Sequence, residues 1–115
     1  MIIAVDFDGT LCEDAYPSIG LPKLQTLNWV KQQKAAGHEI ILWTCRCGER
    51  LEEAVEWCWA HGLLFNEVNN NIKDKVKLYN NDCRKIYADI YLDDKSAFLP
   101  WLHGVKDMDP EERNE

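Results

Sequence analysis

The sequence predicts an α/β domain, a mainly parallel sheet between two layers of helices, and three observations carry that prediction. Short apolar runs rich in β-branched residues, Ile2-Ile3-Ala4-Val5 and Ile40-Ile41-Leu42-Trp43, have the unbroken hydrophobicity of strands buried on both faces. Helical patterns of about ten to fifteen residues alternate with the runs, the spacing of right-handed crossovers between parallel strands. A chain of 115 residues is one domain, and at that size roughly two-thirds of the unfolded surface can be buried, enough for a core without disulfides.

The elements follow in order. The first strand is residues 2–5 and ends in Asp6. Pro22 stands where helices begin, and Leu24, Leu27, Val30 and Lys31 continue at helical spacing until Gly37 stops the segment. Residues 39–43 form a second buried strand ending in Thr44. Over 48–61, Leu51, Ala54, Val55, Cys58 and Trp59 mark the apolar stripe of an amphipathic helix closed by Gly62. Residues 63–68 read as a weaker third strand, followed by the turn-prone Asn69-Asn70-Asn71. A Lys-rich helical stretch at 72–80, a fourth strand at 86–92 ending in Asp93-Asp94, and a short helix near 96–102 complete the domain, residues 1–105. Residues 106–115 are an acidic tail too polar to pack.

Composition narrows the function classes. Hydrophobic residues are 46% and charged residues 29%, ordinary for a globular protein. No apolar run approaches the roughly 18 residues that span a bilayer, and the first residues lack a basic, cleavable leader, so a cytoplasmic, unprocessed protein without membrane association is expected. The net charge of −7 disfavours an extended nucleic-acid surface. Five cysteines, without Cys-x-x-Cys spacing, read as reduced thiols. Trp43, Trp29 and Trp59 read as core, whereas Trp57 lies off the stripe of its helix and is the candidate contact of a homo-oligomer. The three histidines lie away from the expected site.

In a sheet of this kind ligands lie beyond the carboxyl ends of the strands, and there topology collects Asp6, Thr44 and Asp93. Asp6 and Asp8, two residues apart after a buried strand, crowd like charges that a hard divalent cation would neutralise. Mg2+ takes one or two carboxylates together with substrate phosphate, and Asp93-Asp94 extends the acidic rim. The tail holds two basic and five acidic residues, and with it and these four aspartates set aside the body is neutral.

Asp6-Phe7-Asp8-Gly9-Thr10 after an apolar strand resembles the first motif of the haloacid dehalogenase-like (HAD) superfamily. The strand ending in Thr44 resembles the second motif, and Asp93-Asp94 after Ala88-Asp89-Ile90-Tyr91-Leu92 the fourth. The resemblance implies a Rossmann-like three-layer fold and a phosphatase. Asp6 would be the nucleophile that forms an aspartyl-phosphate and a ligand of Mg2+. Asp8 would be the general acid/base and would bind the metal through its carbonyl, with Thr10 holding its carboxylate. Thr44 and the amide of Cys45 would bind phosphoryl oxygens, and Asp93 and Asp94 would complete the metal site. The third motif is a lysine: Lys85 matches the small deoxyribonucleotidase branch with a spacing shorter by two residues, Lys75 matches other branches, and Lys73, Lys77 and Arg84 stay open. Arg46 stands where a guanidinium clamps a phosphate bidentately. Asn69 and Asn71, after the third strand, are candidate substrate contacts beside their default reading as turn formers.

Only eleven residues separate Leu11 from Lys23, so no cap domain is expected and the site should be open. The expected activity is Mg2+-dependent hydrolysis of a small phosphorylated metabolite or nucleotide. The alternatives are a phosphoaspartate-based regulatory or binding module without turnover, a phosphatase acting on a nucleic-acid phosphate end, and a catalytically silent scaffold.

Overall fold

The computed structural model describes residues 1–74 and 86–95. It is an α/β fold whose elements run β1 (Ile2–Val5), β2 (Cys12–Ala15), β3 (Ser18–Pro22), α1 (Leu24–Ala35), β4 (Glu39–Leu42), α2 (Gly48–Ala60), β5 (Glu67–Val68) and β6 (Ile90–Leu92). β1, β4, β5 and β6 make a four-stranded parallel sheet in the order β5-β4-β1-β6, and β2 and β3 pair antiparallel in a separate hairpin. From β1 the chain moves outward to β4 and β5 and then returns to the other side of β1 with β6. The order therefore reverses between β1 and β6, and in open sheets of this kind ligands bind beyond the carboxyl ends at such a reversal.

The period of two along β1 divides the core. Ile3 and Val5 join Ile40, Leu42 and Leu92 in a cluster that takes Leu27 and Val30 from α1 and Ala54 and Cys58 from α2. Ile2 and Ala4 face the other way, with Ile41, Ile72 and Ile86. Leu42, fully buried in the larger cluster, is expected to cost about 2–5 kcal/mol of stability when truncated to Ala. Urea unfolding would register this as a lower midpoint.

Several elements differ from the sequence reading. Residues 12–22 form a hairpin where a plain connection was expected. β2 is exposed beyond Cys12 and has no apolar alternation to announce it; Gly20 makes the pairing feasible, because a Cβ there would stand 2.1 Å from the Glu13 carbonyl oxygen. Pro22 closes β3 instead of opening α1, which starts one residue after its N-cap, Lys23. β4 ends at Leu42, leaving Trp43 37% exposed.

The third and fourth strands are shorter than expected because side chains replace ladder bonds. Asn66 Oδ1 accepts the Ile40 N–H at 2.8 Å ahead of β5. The Ile2 N–H donates to Asp89 Oδ2 at 2.6 Å, and the Tyr87 N–H to Asn71 Oδ1 at 2.7 Å, ahead of β6. In α2 the inward stripe is rotated from the expected one. Trp57 packs on the core edge-to-face with Phe7, ring centroids 5.5 Å apart, whereas Trp59 is 67% exposed. Trp57 is thus half-buried against the core instead of lying off the inward stripe. The helices expected at 72–80 and 96–102 and the tail fall largely or wholly outside the described residues. Among the described residues no helix is long and apolar enough to cross a membrane.

Candidate metal and phosphate site

The loop after β1 is a tight turn. Thr10 and Leu11 both donate their N–H groups to the Phe7 carbonyl, at 3.1 and 2.9 Å, and the Gly9 N–H donates to the Cys12 carbonyl at 2.9 Å. Phe7 is fully buried, so Asp6 and Asp8, on either side of it, are left half-buried at the sheet edge. Val5 pairs in register with Leu42 on one side and Leu92 on the other, which brings the ends of β4 and β6 level with Asp6.

One carboxylate oxygen from each of Asp6, Asp93 and Asp94 lies within 4.8 Å of the others. The Thr10 hydroxyl oxygen accepts the Asp94 N–H at 3.2 Å, and Asp93 Oδ1 accepts the Lys95 N–H at 2.8 Å. Asp94 Oδ1 is buried and meets no donor. Gly9, at φ +82°, supplies the space: a Cβ there would fall 2.6 Å from Asp94 Oδ2. Hard oxygen donors gathered this closely, one of them orphaned, could hold a divalent cation.

The same crowding perturbs the acids. Burial pushes the Asp6 carboxyl up from its ordinary 3.8 to about 6; the Phe7 N–H opposes this, and the charges of Asp93, Asp94 and Asp8 add to it. Asp94 is also raised, first by burial and then by the neighbouring Asp93 carboxyl.

Asp8 turns away from this group. Arg46 Nε donates to Asp8 Oδ2 at 2.8 Å and Nη2 to Oδ1 at 2.7 Å, a two-point ion pair with the Arg46 side chain 1% exposed and that of Asp8 21%. The expected contact between Thr10 and the Asp8 carboxylate is replaced by this clamp and by the Thr10–Asp94 bond. Arg46, expected to grip a phosphate, spends its donors inside the protein.

The remaining expected residues divide. Thr44 is half-buried beyond β4, and its Oγ1 accepts the Arg46 N–H at 3.2 Å, leaving its own hydroxyl hydrogen to donate. Cys45 is exposed beside it. Asn69, in the left-handed region at φ 53°, accepts the Thr44 N–H on Oδ1 at 2.8 Å. Asn71 is buried against Tyr87. Both asparagines thus accept a backbone N–H on their side-chain oxygen. Lys85 and Lys75, with Lys77 and Arg84, lie outside the described residues, and Lys73 is exposed.

The sequence reading missed Lys23, whose charge opposes the rise at Asp94. It also missed the hairpin turn, whose carbonyls meet Arg46. A lysine at a helix start and a Tyr-Pro-Ser turn carry no local signal of either role.

No protein-family model matches the chain, and no curated protein does. A solved structure of a conserved protein from Bacteroides thetaiotaomicron is similar, with a TM-score of 0.78 and 39% sequence identity over 88% of this chain and 83% of that one. The chain belongs to the family of that conserved protein. The alignment covers most of both chains, so the two have the fold in common.

The elevated Asp6 gives a pH signature. Between its unfolded value of 3.8 and its folded value of about 6 the folded state holds the extra proton, so this contribution to stability is present at low pH and lost as pH rises through about 6. With chelator, the melting temperature is expected to fall between about pH 5 and about pH 7.5. Mg2+ should raise it at the higher pH and have little effect at the lower, where protons compete for the ligands. Scanning calorimetry checks this; equal Mg2+ effects at both pH values would count against cation binding at Asp6.

Proposed function

We propose that this chain is a Mg2+-dependent phosphomonoester hydrolase of the HAD-like type, with a Rossmann-like three-layer core and no cap over its site. The observation that carries the reading is the group of Asp6, Asp93 and Asp94 within 4.8 Å, with Asp94 Oδ1 buried and unpartnered, beyond the carboxyl ends of β1 and β6. Such a group suits a cation that also draws a phosphate, and a carboxylate beside it is then placed to attack phosphorus.

In this reading an Asp6 oxygen attacks phosphorus, the bond from phosphorus to the leaving oxygen breaks, and that oxygen takes a proton from Asp8. Water then attacks the aspartyl-phosphate and gives its proton to Asp8 as the phosphorus–Asp6 bond breaks, which releases phosphate and restores both carboxyl groups. Asp6, Asp93, Asp94 and the Asp8 carbonyl would hold Mg2+, which when bound would supply charge neutralisation at the phosphoryl oxygens. Thr44 Oγ and the Cys45 amide donate to those oxygens, and Lys85 or Lys75 adds a positive charge. The open site suits a small phosphorylated metabolite, a nucleotide, or a phosphate end on a nucleic acid.

The two-point clamp of Arg46 on Asp8 favours a second reading, a module that accepts phosphate on Asp6 and keeps it, since both Asp8 oxygens are already engaged. Phosphate release from an aryl phosphate, with and without chelator, tests the first reading. The lifetime of phosphorylated Asp6, followed by intact mass, separates the two: seconds mark the hydrolase and hours the module.

A further inference from the structure

An arginine has five N–H donors, and in Arg46 each has an acceptor within the protein. Nε and Nη2 bind the two Asp8 oxygens at 2.8 and 2.7 Å, and Nη2 also donates to the Ser18 carbonyl at 2.9 Å. Nη1 donates to the Pro17 carbonyl at 3.2 Å and more weakly to the Arg50 carbonyl at 3.5 Å. The guanidinium carbon lies 5.1 Å from the ring centroids of both Phe7 and Tyr16. Arg46 is 2% exposed, so no donor remains for a substrate.

We propose that Arg46 is a positioning residue that joins the turn of the β2–β3 hairpin and the carboxylate of Asp8 into one unit, so that the hairpin determines where Asp8 stands over the reacting phosphate. This rests on the reading of Asp8 as the group that moves the proton. The planar fork reaches two carboxylate oxygens along one edge and the hairpin carbonyls along another, and a lysine ammonium cannot span both. Tyr16 closes the unit from outside: its ring covers the guanidinium while the residue remains 60% exposed. The hairpin is thus a lever on turnover without touching the phosphate.

The test uses the full chain with Mg2+ and p-nitrophenyl phosphate, reading kcat and KM, with inorganic phosphate as inhibitor. Wild type must first show hydrolysis that Asp6→Asn and chelator remove; without it the hydrolase reading itself fails. Given that activity, Arg46→Lys is expected to lower kcat about 100-fold, the effect of a misplaced catalytic group, and to leave phosphate inhibition within about threefold. In an Asp8→Asn background the same change should cost less than about twofold, because nothing remains to be positioned. Tyr16→Ala, at an exposed site that tolerates truncation, should lower kcat about two- to fivefold, the worth of an exposed cation–π contact. Phosphate inhibition weakened about tenfold or more by Arg46→Lys would place Arg46 on the substrate and overturn the proposal. So would an undiminished cost in the Asp8→Asn background, or, should the Arg46 variants fail to fold, a Tyr16→Ala enzyme with wild-type kcat.

Discussion

Asp6→Asn is expected to lower phosphate release by about 10³-fold or more while making the metal-free protein more stable. The two effects have one origin. The carboxylate that would attack phosphorus is held half-buried beside Asp93 and Asp94, and burial, with their charges and that of Asp8, raises its pKa to about 6. An amide of nearly the same shape removes the buried charge and the repulsion, and with them the nucleophile. In chelator near neutral pH the variant should therefore melt at a higher temperature than wild type, and Mg2+ should no longer stabilise it. Phosphate release and thermal unfolding, measured on the same preparations, check both halves. A variant that keeps a substantial share of the activity would remove Asp6 from the chemistry, and one that melts lower would mean that the carboxylate is structural.

Gly9→Ala should damage the cation site without removing any ligand. Gly9 has a φ of +82°, and a Cβ would sit 2.6 Å from Asp94 Oδ2. Either the turn after β1 shifts or the Asp94 carboxylate rotates away from Asp6. Disturbing the support of a metal ligand in this way weakens affinity by about 10- to 100-fold, and the strained backbone costs about 1–3 kcal/mol of stability. Titration of activity and of heat with Mg2+ would show a higher midpoint, with activity recovering at high Mg2+. An unchanged Mg2+ midpoint would mean that Asp94 is not a ligand. Recovery would also separate this lesion from Asp6→Asn, where no concentration of metal replaces the missing nucleophile.

How much of this was legible in the sequence depends on the range of the interaction involved. β1, β4 and α2 were readable because their signals are local: a β-branched run buried on both faces, a helical period, a terminating glycine. Asp6, Thr44 and Asp93 could be assigned to one edge because parallel strands with crossover helices align their carboxyl ends whatever the details. The hairpin was not readable, since β2 is exposed beyond Cys12 without apolar alternation and its pairing depends on Gly20 meeting Glu13. The shortened β5 and β6 were hidden for a similar reason, because Asn66, Asp89 and Asn71 supply bonds that a longer strand would have supplied.

By itself the sequence determined the class of fold, the central strand, and the gathering of carboxylates at one sheet edge, since periodicity and chain topology suffice for these. Only the tertiary structure decided the partners: Asp94 rather than Asp8 for Thr10, Asp8 and the hairpin carbonyls rather than a phosphate for Arg46, the core for Trp57 and solvent for Trp59. Arg46 and Asp8 are 38 residues apart, and a charged side chain carries no periodic signal of what it will meet. Direction and partner are settled when distant segments pack, because a buried guanidinium must find an acceptor for each donor.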